Sequence, residues 1–351
     1  MSKKETVQKP LPPATGSGAR SKFRTIVADP PWEIGDLPAT IAEECPQTGT
    51  AGADSLRRFV GRLCRVFPRR TNATPTDALA YTTEPELWTE ADEVHISVTW
   101  TYDLPRAEQL EKEWRHVAPT KIGGPATGMR GEDFTPGLYV KPGYVITSRG
   151  CPNTCWFCSV WKRDGTTREL AIHDGWNVLD DNLLACSEKH IRAVFAMLKR
   201  QPHKAEFTGG LEAKILQRWH VELLADLKPG VMYFAYDTPD DYEPLVAAGK
   251  LLAEAGIKQP AASCYVLVGW PKDTEDSADK RLRQAFAAGF YPYAMLWRDK
   301  HGERSPDWLR FNAVWSQPAC VKRMMRDGTK HHAMPDEQGT PLFAANEKLS
   351  V

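Results

Sequence analysis

The chain has 351 residues, room for one large domain or two modest ones, and no apolar run approaches the roughly 20 residues a membrane-spanning helix needs. Forty-five lysines and arginines balance 45 aspartates and glutamates, so bulk charge gives no support for a nucleic-acid or membrane-surface partner. The basic start has no apolar core behind it and does not read as a secretory signal, so the eight cysteines point to a reducing, cytoplasmic setting rather than a disulfide framework.

Residues 1–22 are rich in Lys, Pro, Gly and Ser and predict a disordered leader. A short strand over 23–28 runs into Asp29-Pro30-Pro31-Trp32, and the rest of the 23–62 fragment is mostly turn formers. From 63 to 142 the pattern predicts a small α/β accessory region. It has a β-branched strand over 94–99, a helix over 104–114 with Ala107, Leu110 and Trp114 on one face, and a strand over 120–122.

From 143 to 318 strands and helices alternate regularly. Strands are expected over 144–147, 176–179, 205–208, 232–236, 264–268 and 293–296. The helix after the second is expected to be capped by Ser187, with Ile191, Val194, Phe195 and Leu198 on its apolar face. The next carries Leu216, Trp219, Leu223 and Leu227, and another finishes near Gly256. Helical crossovers of this kind return the chain to one parallel sheet with one hand. The expected fold class is therefore α/β, a partial TIM-type (β/α)6 barrel preceded by a small α/β layer covering its mouth. Residues 319–351 read as a C-terminal tail, and His331 and His332 as solvent-exposed side chains.

The chemistry-bearing feature is the run Ser148-Arg149-Gly150-Cys151-Pro152-Asn153-Thr154-Cys155-Trp156-Phe157-Cys158. Three thiols at C-x3-C-x2-C spacing on one loop can wrap a face of an iron–sulfur cubane, and they leave the fourth iron without a protein ligand. An open metal position is what a site needs to bind a cofactor directly. Other occupants compete: a zinc site recruiting His173, a disulfide that strands an odd thiol, or a ferredoxin-type cluster using Cys186. Cys186 and Cys264 read more simply as small buried apolar side chains.

The cysteine loop, with aromatic Phe157 just before its last thiol, resembles the defining motif of the radical S-adenosylmethionine (SAM) superfamily over about residues 143–300. The resemblance implies a [4Fe-4S] cluster on Cys151, Cys155 and Cys158, and SAM chelating the free iron. It also implies one-electron cleavage of SAM to a 5′-deoxyadenosyl radical that acts on a substrate the sequence does not name. A reductant such as flavodoxin or ferredoxin is the implied partner. By the same resemblance Phe157 lies near the adenine, and Gly209-Gly210-Leu211-Glu212, with its inserted Leu, matches a Gly-Gly-Glu stretch that meets the SAM amino group. Asp181 and Asn182 are second candidates for SAM contact, Asp237 for the ribose, and Gly269 for close backbone approach to adenine. The 63–140 stretch sits where some superfamily members carry a cobalamin domain, but the Asp-x-His-x-x-Gly signature is absent.

Two further readings stay open at this level. Asp29-Pro30-Pro31-Trp32 is similar to the catalytic turn of N6-adenine methyltransferases, although about forty residues are too few for that fold's core. A non-catalytic binding module stabilised by zinc or an iron–sulfur cluster is the other. Tyr291, Tyr293, Trp297, Arg298 and Asp299 gather around the sixth strand end, facing the expected substrate pocket.

Overall fold

A computed structural model of the chain describes residues 61–131, 133–299 and 301–330. The expected leader, the Asp29–Trp32 motif, and His331 and His332 lie outside the described residues. Two parallel α/β layers follow each other along the chain.

The first layer is a four-stranded sheet of β1 (Leu63–Val66), β2 (Ala80–Tyr81), β3 (Glu93–Ser97) and β4 (Thr120–Gly123), in the order β2-β1-β3-β4. All its pairings are parallel. Helix α1 (Leu104–Trp114) starts with Pro105 in its first turn and buries Ala107, Leu110 and Trp114. These close a small separate core over Cys64, Val66, Val94, Ile96 and Val98.

The second layer holds the cysteine loop. Its strands are β5 (Tyr144–Val145), β8 (Asn177–Val178), β9 (Glu206–Phe207), β10 (Val231–Ala235), β11 (Ala262–Val268) and β12 (Tyr291–Leu296). They lie side by side in chain order, every neighbour parallel. Between β5 and β8 a two-residue ribbon of β6 (Ser148–Arg149) and β7 (Arg168–Glu169) pairs antiparallel around α2 (Val160–Arg163). Helices α3 (Glu188–Lys199), α4 (Arg218–Leu227), α5 (Tyr242–Glu254) and α6 (Glu275–Ala287) supply the crossovers. Alternation along the longest strands shows why the sheet forms here. Cys264, Val266 and Val268 on β11 face the helices in the main core, while Ser263, Tyr265 and Leu267 face the other way. The edges β5 and β12 do not pair with each other, so the described sheet is open rather than a closed barrel.

Sequence and structure agree closely in places and part in others. Ser187 caps α3 by accepting from the His190 amide at 3.2 Å, and Ile191, Val194, Phe195 and Leu198 are its buried stripe. Leu216 is buried in the main core and Trp219, Leu223 and Leu227 pack against it, as expected, while on α4 itself His220, Val221 and Leu224 are buried most deeply. His220 closes the first turn of α4 by accepting from the Gln217 amide at its Nδ1, at 2.9 Å. The expected tail also begins too early. After α7 (Pro306–Trp315), residues Pro318–Asp327 form α8, whose Val321 and Met324 are buried in the main core. Proline at its first turn marked a helix start that the mixed composition obscured. Among the described residues no helix is long and apolar enough to cross a membrane, and every described cysteine is free.

The cysteine-lined pocket

Parallel sheets collect chemistry where their strands end, and that is where the loops after β5, β8, β9 and β10 meet. They enclose a cavity of about 430 Å³. Cys151, Cys155, Phe157 and Cys158 line it from the cysteine loop, Asp181 and Asn182 from the end of β8, and Gly209, Gly210 and Glu212 from the end of β9. Asp237 lines it beyond β10. The structure thus brings together residues separated by more than eighty positions in the chain.

Gly269 is the exception. It does not line this cavity; its amide donates to Asp273 at 2.9 Å, and the buried Arg281 holds the same carboxylate at 2.8 Å. That turn is closed on its own helix.

The loop is pinned from beneath. Asp180 is 1% exposed and accepts from the Thr147 amide (2.6 Å), the Thr147 hydroxyl (2.6 Å) and the Ser148 hydroxyl (2.8 Å). Burial pushes its carboxyl up, against these hydrogen bonds, which favour the charged form. Asp181 accepts from the Gly150 amide at 2.8 Å; burial pushes it up as well, opposed by the Arg149 guanidinium. Gly150 has φ +84°, and a β-carbon there would stand 2.4 Å from the Thr166 carbonyl, so glycine starts the turn. The Cys151 amide then donates to Gly165 O at 3.0 Å, and the Trp161 indole N–H to Cys155 O at 3.1 Å.

Opposite the thiols, Asn182 Nδ2 donates to Glu212 at 2.6 Å and lies 3.5 Å from Cys151 Sγ. Asn182 is 4% exposed, and its side-chain oxygen has no partner among the described residues. Pocket residues that were not singled out from the sequence include Asp241 and Lys214. Asp241 binds Lys214 at 2.9 Å and accepts from the Thr238 amide at 2.8 Å. The Thr-x-x-Asp spacing of Thr238 and Asp241 is a capping-box signal that could have found the aspartate; nothing local marks Lys214. Tyr265, a third, enters the wall from β11 and stacks on Tyr233 with centroids 4.0 Å apart.

Gly209 sets how closely β9 approaches β8. A β-carbon at Gly209 would lie 2.2 Å from Asp180 O and 2.5 Å from Leu179 C, both backbone atoms that a rotamer change cannot move. Gly209→Ala is therefore expected to lower the melting temperature by several degrees, equivalent to about 2 kcal/mol of strain. A melt unchanged from wild type would show that the two strand ends are not held this tightly.

The donor set fits an iron–sulfur cluster. Burial, and then the neighbouring Cys158 and Cys151, push the Cys155 thiol up to about 11; burial likewise pushes Cys158 up. Three adjacent thiolates are stable here only with positive charge between them, which a metal cluster provides. Among the described residues no group of three or more His, Cys, Asp or Glu side chains is arranged to hold a metal ion. A cubane makes a different demand, since each thiolate takes its own iron. His173, the fourth ligand a zinc site would recruit, packs edge-on against Phe134 (centroids 6.0 Å apart) and does not line the cavity. Cys186 also lies off it, its thiol pushed up to about 12 by burial. Compared with known proteins, the chain matches no family model and no curated protein.

Proposed function

We propose that the chain is a radical SAM enzyme, with a [4Fe-4S] cluster on Cys151, Cys155 and Cys158 and SAM beside it, in a partial (β/α)6 barrel. One observation carries the reading: a C-x3-C-x2-C loop opens onto the same cavity as the ends of four parallel strands laid down in chain order. When bound, the cluster and SAM supply one-electron cleavage of the sulfonium to a 5′-deoxyadenosyl radical.

The chain's own residues bind and orient. Glu212, held by Asn182, is placed to accept from the SAM amino group, with Gly209 and Gly210 leaving room for backbone approach. The Asp237 carboxylate bridges to the Leu267 amide at 2.8 Å, which fixes it on the cavity wall as an acceptor for ribose hydroxyls. Lys214 offers a cation to the SAM carboxylate, its ammonium tethered by Asp241. Phe157 and Tyr265 give flat apolar surface for adenine and keep water from the reacting carbon. A flavodoxin- or ferredoxin-type donor in the cytoplasm would deliver the electron.

Anaerobic reconstitution with iron and sulfide, followed by dithionite and SAM, tests the reading. The expected result is about four irons per chain and steady release of 5′-deoxyadenosine. Iron-free protein, or a loaded cluster that leaves SAM intact, would overturn it.

A further inference from the structure

The two layers meet at a point the cofactor pocket does not use. Tyr102, in the segment that follows β3, meets Arg298 and Gly302, which follow β12. Trp100 and Tyr102 stack there with ring planes 12° apart and centroids 6.0 Å apart. The Arg69 guanidinium carbon lies 5.6 Å from the Tyr102 ring centre and 6.0 Å from that of Trp100, and the Arg298 guanidinium carbon lies 5.0 Å from Tyr102. Arg304 is close enough to act electrostatically on both Tyr102 and Arg298. Gly302 makes room for this: a β-carbon there would stand 3.0 Å from the Tyr102 side chain.

The Arg69 and Arg298 guanidiniums flank one ring and repel each other. Arg304 is exposed, and partial desolvation, then Arg298 and Arg69, pull its pKa below the usual value. Neighbouring carboxylates answer only part of that charge. Asp103 takes Arg69 in a two-point pair at 2.7 and 2.9 Å. Asp299 spends its oxygen on the His301 and Glu303 amides of its own turn, at 2.9 and 3.0 Å, and Glu303 is exposed. Arg298 and Arg304 form no ion pair with a carboxylate among the described residues.

We infer that Arg69, Arg298 and Arg304 form the binding site for a phosphate group carried by the substrate. Planar forked guanidiniums suit phosphate oxygens, and the Trp100–Tyr102 platform keeps the Arg69 and Arg298 forks aligned by cation–π contact. The location suits a substrate rather than a remote ligand. Arg298 comes two residues after the end of β12, and β12 lies two strands from β10, whose end carries Asp237. At about 4.8 Å per strand this is roughly 10 Å, the scale of a nucleotide or other phosphorylated metabolite spanning from arginines to the cavity. The substrate assignment rests on the radical SAM reading; the phosphate site itself does not.

The test is titration of the full-length protein, without iron or SAM, with three probes at fixed ionic strength. These are a nucleoside 5′-monophosphate, the same nucleoside without phosphate, and a ten-nucleotide single strand. The monophosphate, the oligonucleotide or both are expected to bind at least tenfold tighter than the nucleoside, the stronger one telling a phosphomonoester from a phosphodiester ligand. Arg298→Gln combined with Arg304→Gln should weaken that binding at least tenfold, whereas the double lysine variant should retain more of it than the glutamine one. Equal affinity for the nucleoside, or undiminished phosphate binding by a folded glutamine variant, would overturn the proposal. Binding is read without SAM cleavage, so this outcome and a missing 5′-deoxyadenosine signal fail separately.

Discussion

Cys155→Ala is expected to bring iron incorporation close to background and 5′-deoxyadenosine release at least a thousandfold below wild type, with the fold intact. Each thiolate of a three-cysteine cluster holds its own iron, so losing one exposes an edge of the cubane to solvent and oxidation. Stability should change little, because Cys155 is only partly buried and contributes no side chain to the main core. Cys186→Ala and Cys264→Ala are the matched controls. Cys186 lies off the cavity and Cys264 faces the helices from β11, so both variants should load iron normally. Circular dichroism and iron analysis on the same preparations separate loss of ligand from loss of fold. If Cys155→Ala kept iron while Cys186→Ala lost it, the ligand set would be wrong. Methyl transfer to DNA or RNA in air, abolished by Asp29→Ala and indifferent to Cys155→Ala, would instead point to the Asp-Pro-Pro-Trp motif.

Those thiols were legible from sequence because the constraint on them is local: fixed spacing on one short loop. The six strands were legible for a related reason, since each is an apolar run closed by turn residues. Their limits blurred where the strand is short. The expected strand over 144–147 ends at Val145, because the Thr147 amide turns to the buried Asp180 carboxylate instead of a neighbouring strand. Long-range partnerships were invisible. Nothing near Lys214 announces Asp241, nothing near Asn182 announces Glu212, and the pairing of Trp100 and Tyr102 with Arg298 depends on how the two layers dock. The turn at Gly269 is another such partnership: nothing near the glycine announces that its amide is taken by Asp273, which Arg281 also holds.

Asp180→Ala is expected to unfold the cysteine loop's support and destabilise the chain by about 3–5 kcal/mol, read as a lower urea midpoint at unchanged slope. The carboxylate is 1% exposed and answers three donors, the Thr147 amide and hydroxyl and the Ser148 hydroxyl. Alanine leaves all three buried without an acceptor, each costing on the order of 1–3 kcal/mol. Asp180→Asn keeps the shape but turns one oxygen into a donor facing donors, so its loss should fall between alanine and wild type. Asp181→Ala removes a single acceptor, from the Gly150 amide, and should cost about 1–2 kcal/mol. Because the loop that Asp180 holds continues through Gly150 to Cys151, iron content should fall in Asp180→Ala even though every thiol remains. An Asp180→Ala protein with wild-type midpoint and full iron loading would show that the loop is positioned by something other than this carboxylate.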